Sequence, residues 1–268
     1  MLVVDGRRID FVDQGSGPAL LFVPGSFATP AAWRGVQRGL AGRYRCVGTS
    51  LCGYGGTGET RSLDDLGMEH EVRVVRAVAD RIGGPVILVG HSFGGTVALA
   101  ATLAGAADVR GLAVFEANPL ALVEESGFPA LYGETRAMSE AFEAAWRDGE
   151  VDAAGRIIDF WGGPGAFAAL PDAVREFCRT TACANVLDWR TAFGFRATMA
   201  DYATIGVPVL LVRGGNANDA MVAITDALQR SLPDVEAAVV DGAGHFLIST
   251  HAEACAELLD RFLRRVAA

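Results

Sequence analysis

Residues 86–104 read VILVGHSFGGTVALAATLA, and this stretch decides the organisation of the chain. The apolar run at 86–89 predicts a buried strand, and residues 93–104 predict a helix. Between them, GHSFG at 90–94 matches Gly-x-Ser-x-Gly, the pattern of the nucleophile elbow, a strained turn that exposes a serine hydroxyl. The alternative is a glycine-rich turn in which Ser92 only caps the following helix.

Outward from this turn, short apolar runs alternate with helical patterns. The continuously apolar strands are typical of a parallel sheet covered on both faces, and the alternation predicts right-handed strand–helix–strand units. Asp5-Gly6 is a hairpin signal, so we expect an antiparallel pair at the N-terminal edge. The predicted fold class is α/β, with a mostly parallel sheet flanked by helices. We predict strands at 7–12, 19–23, 44–49, 86–89, 111–115, 207–212 and 235–240, and helices at 30–40, 63–82, 93–104, 221–232 and 251–266.

In residues 119–205 the alternation of strands and helices stops. They contain no predicted strand, and helical patterns occur at 131–147, 153–160, 173–183 and 186–202. We interpret the segment as an inserted helical cap, which leaves residues 1–118 and 206–268 as the core domain. Its aromatic residues either pack within the cap or line an apolar pocket; they are Phe142, Trp146, Phe160, Trp161, Phe167, Phe177, Trp189, Phe193 and Phe195.

Composition restricts the classes of function. The 268 residues are 51% hydrophobic and 21% charged, as in globular proteins. A net charge of −9, with no basic run, argues against a nucleic-acid partner. The sequence has no secretory signal and no apolar stretch of membrane-spanning length, so we expect a cytoplasmic protein with a small-molecule substrate and no membrane partner. The sequence leaves a homodimer open. Five irregularly spaced cysteines favour free thiols.

A serine hydroxyl needs a neighbouring base to act as a nucleophile at neutral pH. Elimination among the four histidines indicates His245. We expect His91 to face away from Ser92, His70 to lie on an exposed helix face and His251 to begin a helix. His245 follows the last predicted strand in a loop of small residues, at the sheet edge where sites form in open α/β folds. We therefore predict Ser92 as nucleophile and His245 as general base.

The imidazole in turn needs a carboxylate that holds its tautomer and stabilises the imidazolium. Asp219 is the only carboxylate in the loop after the predicted strand at 207–212, and it lies between Ser92 and His245 in chain order. Glu116 ends the predicted strand at 111–115 on the same side of the sheet. We favour Asp219 as the acid and retain Glu116 as the alternative.

Acyl transfer also requires hydrogen-bond donors for the developing oxyanion. One is expected to be the backbone N–H of Phe93, and the other a backbone N–H in the loop at 24–27, from Ser26 first and Phe27 second. The residues expected to contact the substrate are Phe27, His91, Trp161 and Phe246.

Residues 53–58, GYGGTG, contain Gly-x-Gly-x-x-Gly, which is also found in dinucleotide-binding sites. Such a site requires a helix that opens within the motif and an acidic residue at the end of the next strand. Here the loop-like sequence ETRSLDD follows, and the next strand ends at Gly90. We therefore do not expect a nucleotide cofactor at this position.

The chain carries five motifs in this order: VPGS at 23–26 with Trp33, LCGYG at 51–55, GHSFG at 90–94, PVLLV at 208–212 and GAGHF at 242–246. Together they resemble the α/β-hydrolase superfamily over essentially the whole chain. The resemblance implies an eight-stranded sheet, a lid after strand six and the chain order serine, acid, histidine. It also implies an esterase-like serine hydrolase, since related epoxide hydrolases and haloalkane dehalogenases use an aspartate nucleophile.

Two positions depart from the family pattern. Pro24 stands where most members carry histidine, and Ala217 stands where the acid usually lies. The second departure keeps Glu116 under consideration, because some members place the acid after strand six. The expected reaction is hydrolysis of an ester or related acyl bond without a metal or organic cofactor. Its alternatives are a lyase or acyl-transferase reaction on the same fold, and a ligand receptor without turnover.

Overall fold

The computed structural model of the protein describes residues 1–4, 6–40 and 42–266. A short 3-10 turn, Pro30–Trp33, precedes the first helix. The strands within the described ranges are β1 (Leu2–Val4), β2 (Arg7–Ile9), β3 (Phe11–Gln14), β4 (Ala19–Val23), β5 (Arg45–Thr49), β6 (Val86–His91), β7 (Val109–Phe115), β8 (Val209–Gly214) and β9 (Val235–Val240). The helices are α1 (Arg34–Leu40), α2 (Glu69–Ile82), α3 (Phe93–Leu103), α4 (Ala121–Glu125), α5 (Pro129–Arg147), α6 (Gly155–Gly162), α7 (Asp172–Thr180), α8 (Ala182–Gly194), α9 (Met199–Tyr202), α10 (Asp219–Ser231), α11 (Leu247–Thr250) and α12 (Ala252–Val266).

Seven strands form one sheet in the order β3-β5-β4-β6-β7-β8-β9. β3 runs antiparallel to β5, and every other neighbouring pair is parallel. The predicted α/β class with a mostly parallel sheet is therefore confirmed. β1 and β2 form a separate antiparallel pair in which Leu2 lies opposite Ile9. Asp5, the first residue of the predicted hairpin turn, lies outside the described residues.

The main sheet has seven strands in the described part of the chain, where the family resemblance implied eight. The predicted strand at 7–12 is broken at Asp10, whose carboxylate turns into the loop after β5. It accepts hydrogen bonds from the backbone N–H groups of Ser50 (3.1 Å) and Gly56 (2.9 Å) and from the Thr57 hydroxyl (3.0 Å). The glycine-rich loop at 53–58 thus wraps around Asp10, and no helix begins within it.

Two hydrophobic cores cover the two faces of the sheet. Alternate side chains of a strand point to opposite faces, so in β4 Leu21 joins one core and Phe22 the other. The first core contains α2, α3 and α10 together with the helices between β7 and β8, and the second contains α1, α11 and α12. Both faces of the central strands are buried, which explains why they read as continuous apolar runs.

Helix α2 begins at Glu69, six residues later than predicted, and this places His70 differently from expectation. His70 is buried rather than exposed on a helix face. Its ring contacts the Thr60 hydroxyl through Nδ1 (2.8 Å) and the Asp65 carboxylate through Nε2 (3.0 Å). The residues before α2 fold back to supply these partners, so the helical pattern at 63–68 is overridden.

Between β7 and β8, the described chain contains the six helices α4–α9 and no strand. We refer to residues 119–205 as the helical insert. The single helix predicted at 186–202 is two helices, because Phe195 is extended and Thr198 starts α9 with a capping box to Asp201. Among the described helices, none combines the length and apolar character that a membrane span requires.

Candidate active site

Ser92 stands at the turn between β6 and α3 with φ +54° and ψ −129°. Glycines permit the turn, because a Cβ at Gly90 would lie 2.5 Å from the carbonyl oxygen of Gly94, and one at Gly94 would collide with the loop after β4. In the described ranges, the other non-glycine residues with positive φ are Phe27 and Glu116. Backbone conformations of this kind are costly and cluster at functional sites. All three residues belong to the site described below.

His245 joins Ser92 and Glu116 in a chain of hydrogen bonds. Its Nε2 atom lies 3.0 Å from the Ser92 hydroxyl, and its Nδ1 atom lies 2.7 Å from Oε2 of Glu116. All three residues are buried, with 8%, 3% and 2% of Ser92, His245 and Glu116 exposed. In this geometry an imidazole can accept the serine proton while a carboxylate fixes its tautomer and balances its charge.

Glu116 is the residue after β7, and each of its two carboxylate oxygens has a hydrogen-bond partner. Oε1 accepts a hydrogen bond from the backbone N–H of Gly214 at the end of β8 (2.7 Å), and Oε2 faces His245. Burial acts to raise the pKa of Glu116, but the hydrogen bond and charge of His245 outweigh it, so the pKa lies below its usual value. Glu116 is therefore a carboxylate, not a carboxylic acid, at neutral pH.

Asp219, the carboxylate favoured from the sequence, is not beside His245. It is exposed and forms the first residue of α10, where Asn218 caps the helix by accepting a hydrogen bond from the N–H of Met221. A carboxylate in a first helical turn is stabilised by the helix dipole, which accounts for its position without a link to His245. The prediction that Asp219 is the partner of His245 is therefore wrong. The alternative, Glu116, is the carboxylate beside His245.

His91 supports the loop that carries His245. Its Nε2 atom lies 2.8 Å from the backbone oxygen of His245, and the two rings lie 5.0 Å apart. Burial lowers the pKa of His91 to about 3, so the ring is neutral at physiological pH and its Nε2–H donates to the carbonyl. His91 therefore directs its Nε2–H to the His245 carbonyl, while the residue lines the same pocket as Ser92.

The loop after β4 lies against the elbow. A Cβ at Gly25 would lie 2.9 Å from Cβ of Ser92, so only glycine allows this approach. Ser26 and Phe93, the two predicted oxyanion donors, both line the pocket beside Ser92, as does Phe27. The Ser26 hydroxyl donates a hydrogen bond to Oδ2 of Asp188 in α8 (2.5 Å), which ties the loop to the helical insert.

A cavity of about 630 Å³ opens above Ser92 between the loop after β4 and the helical insert. The Trp161 ring stacks on His245 with centroids 5.1 Å apart, and Trp189 lies parallel to Trp161 at 6.1 Å.

Of the residues expected to contact a substrate, Phe27, His91, Trp161 and Phe246 all line the cavity. Among the aromatic residues of the insert, Trp161, Phe177 and Trp189 line it, whereas Phe142 is buried in the core.

Polar residues that sequence reasoning missed lie where the insert meets the core. Asp188 accepts hydrogen bonds from the Tyr54 hydroxyl (2.6 Å) and from Arg61 Nη1 (2.7 Å), and Arg61 also pairs with Glu59 and Glu71. Burial raises the pKa of Asp188, with Arg61 opposing the rise. No local pattern in the sequence marks Asp188, because its partners Tyr54 and Arg61 are 134 and 127 positions away in the chain.

Comparisons with known proteins identify the family of the chain. The model of the alpha/beta hydrolase family matches residues 20–258, and the chain belongs to that family. An uncharacterized protein of Mycobacterium tuberculosis is 26% identical over 286 aligned positions, which cover 97% of this chain and 79% of that protein. The 2-(acetamidomethylene)succinate hydrolase of Mesorhizobium japonicum is 23% identical over 258 positions, covering 94% and 90%. An esterase of Exiguobacterium antarcticum has a similar fold, with TM-score 0.76, 20% identity and coverage of 99% and 98%.

Proposed function

We propose that the protein is a serine hydrolase that cleaves a carboxylic ester, or a related acyl bond, of a small to medium apolar substrate. The observation that carries this proposal is the position of His245, with Nε2 3.0 Å from the Ser92 hydroxyl and Nδ1 2.7 Å from Glu116. A serine, an imidazole and a buried carboxylate in this order form the arrangement that activates serine nucleophiles on many folds.

In the proposed mechanism, His245 Nε2 accepts the Ser92 proton as the serine oxygen attacks the acyl carbon. The resulting oxyanion accepts hydrogen bonds from the backbone N–H groups of Phe93 and Ser26. The C–O bond to the leaving group then breaks, and the proton on His245 passes to the departing alkoxide. Water activated by His245 next cleaves the acyl–Ser92 ester, which releases the carboxylic acid and restores the hydroxyl. Glu116 stays ionised throughout and balances the imidazolium.

The walls of the cavity support the apolar character of the substrate. Its volume of about 630 Å³ falls within the usual range for small-molecule sites. Ile157, Ile158 and Leu170 line it from the insert, opposite Phe27. Burial of apolar surface contributes about 25 cal/mol per Å², so longer acyl or alkyl chains are expected to bind more tightly until the cavity is filled.

A product analysis in isotopically labelled water tests the proposal. We expect a p-nitrophenyl ester of a short fatty acid to yield the free acid with one labelled oxygen, because water cleaves the acyl–Ser92 intermediate. Product formed without the free acid would indicate a lyase or an acyl transferase. Binding of the ester without any product would indicate a receptor.

A further inference from the structure

Helix α8 presents a stripe of four residues to the cavity: Asn185, Asp188, Trp189 and Ala192. Their spacing of three, four and seven residues places them on one helix face. The stripe changes along its length from two polar residues to two apolar ones. Most of the other insert residues that line the cavity are apolar, so its surface contains a small polar patch at this end of the stripe.

Asn185 has an unused hydrogen-bond acceptor. The residue is fully buried, and its Oδ1 atom has no hydrogen-bond partner among the described residues. Its Nδ2 group donates to the Tyr54 hydroxyl (3.5 Å), and Tyr54 in turn donates to Asp188. With Nδ2 directed at Tyr54, the amide oxygen Oδ1 is the atom that lacks a hydrogen bond. An amide oxygen without a partner in the interior costs free energy comparable to a lost hydrogen bond.

Other buried polar atoms in the described chain also have no partner, but they lie elsewhere. Thr191 Oγ1 and Tyr202 Oη are such atoms, and neither residue lines the cavity. Among the described residues with such an atom, Asn185 alone contributes to the cavity wall. Oδ1 itself has less than 1 Å² of accessible surface in the empty cavity. A bound molecule can therefore supply the missing partner when its donor displaces the side chains that cover this atom.

The charges around this patch favour a neutral donor over an anion. Asp188 lies one helical turn from Asn185, and its carboxylate is already paired with Arg61 and hydrogen-bonded to Ser26 and Tyr54. Arg61 also pairs with Glu59 and Glu71, so this cation has no free position to offer a ligand. A substrate carboxylate at the patch would meet amide and carboxylate oxygens, and like charges at close range repel.

We infer that the substrate carries a neutral hydrogen-bond donor, a hydroxyl or an amide N–H, on its apolar chain, and that Asn185 Oδ1 accepts this hydrogen bond. The inference rests on the proposed function and narrows its substrate class. Asn185 then acts as a specificity-determining residue: it selects among esters of similar size without taking part in the chemical step. A site built to hydrogen-bond a substrate group discriminates strongly against an analogue that lacks it.

Matched series of methyl esters test this inference in the wild-type protein. Each ω-hydroxyalkanoate ester is compared with the ester of the same length that ends in a methyl group, and with one that ends in a carboxylate. At the optimal chain length, we expect kcat/KM to favour the hydroxyl over the methyl group by about fivefold, because one neutral hydrogen bond is formed. The carboxylate ester is expected to be the poorest of the three.

Asn185→Leu removes the acceptor at similar volume and is expected to lower the hydroxyl-to-methyl ratio at least tenfold, since the buried hydroxyl then has no partner. Thr191→Val is the matched control: it removes an unpartnered buried oxygen from the same helix away from the cavity, so the ratio should not change. Thermal unfolding checks that both variants are folded. A wild-type preference for the methyl ester at every chain length would overturn the inference, as would an unchanged ratio in folded Asn185→Leu.

Calorimetric binding of the same esters to Ser92→Ala separates this inference from the proposed function. The hydroxyl preference should appear in the dissociation constants even if the wild-type protein does not hydrolyse any of the esters. Turnover of the methyl-ended esters without a hydroxyl preference would overturn the inference and leave the hydrolase proposal standing. Selective binding of the hydroxy esters without turnover would overturn the hydrolase proposal and support the donor site.

Discussion

Ser92→Ala is expected to reduce the hydrolysis of p-nitrophenyl esters to nearly the rate in buffer. The variant lacks the atom that forms the acyl-enzyme, so no covalent intermediate is available. Removal of the serine from a comparable serine–histidine–carboxylate site lowers kcat on the order of 10⁶-fold. The measurement is kcat with a short-chain p-nitrophenyl ester. The variant is purified separately from the wild type, so that traces of wild-type enzyme do not raise its measured rate.

The same variant should fold normally. The Ser92 hydroxyl accepts no capping hydrogen bond from the N–H groups of α3, and its side chain bonds to His245. Its thermal unfolding midpoint should therefore stay close to that of the wild type. If Ser92→Ala retained a substantial fraction of the wild-type kcat, the nucleophile would have to be another residue.

Glu116→Gln is expected to lower kcat by about 10⁴-fold, the size of the loss when a catalytic histidine is held in the wrong tautomer. The new amide side chain would keep its oxygen on the Gly214 N–H and turn its NH₂ group toward His245. The imidazole would then accept at Nδ1 and carry its proton on Nε2. A histidine in that tautomer cannot take the Ser92 proton.

Asp219→Asn is the matched control for this change. It also neutralises one carboxylate, but at an exposed helix start without contact to His245. We expect kcat to change less than about twofold, since an exposed charge at a helix terminus contributes at most about 1 kcal/mol, and to stability rather than to the reaction. The reverse result, a large loss in Asp219→Asn and a small one in Glu116→Gln, would assign the acid to Asp219.

The turn at Ser92 and the position of His245 after the last strand could both be predicted from the sequence. GHSFG between a strand and a helix describes a turn whose geometry depends on nearby residues, and the structure forms that turn. His245 could be found by elimination among four histidines and by its position after the last strand. Sequence reasoning predicts a turn set by neighbouring residues well, whereas it found His245 because the chain has few histidines.

The carboxylate beside His245 could not be assigned from sequence because two neighbouring strands each end near a carboxylate. β7 and β8 are adjacent in the sheet, so Glu116 and the loop that leads to Asp219 emerge at the same edge. Two features decide between them: the positive φ of Glu116 and the Gly214 N–H that binds its second oxygen. Both involve the register between β7 and β8, which cannot be read from local sequence patterns.

The polar contacts between insert and core were missed for a similar reason. Asp188 and Arg61 are 127 positions apart, and Tyr54 and Asp188 are 134 apart. Neither pair has a spacing rule that would reveal it. The break in the strand at Asp10 likewise depends on a loop 40 residues further along the chain.

The most direct test of the central claim is the intact mass of the wild-type protein after reaction with a fluorophosphonate, followed by peptide mapping. An activated serine attacks the phosphorus atom and expels fluoride, so we expect one adduct per chain, located on Ser92. Glu116→Gln should react far more slowly, and Ser92→Ala should give no adduct. A folded wild-type protein that forms no adduct, or forms one at a different residue, would contradict the assignment of Ser92 as a nucleophile activated by His245.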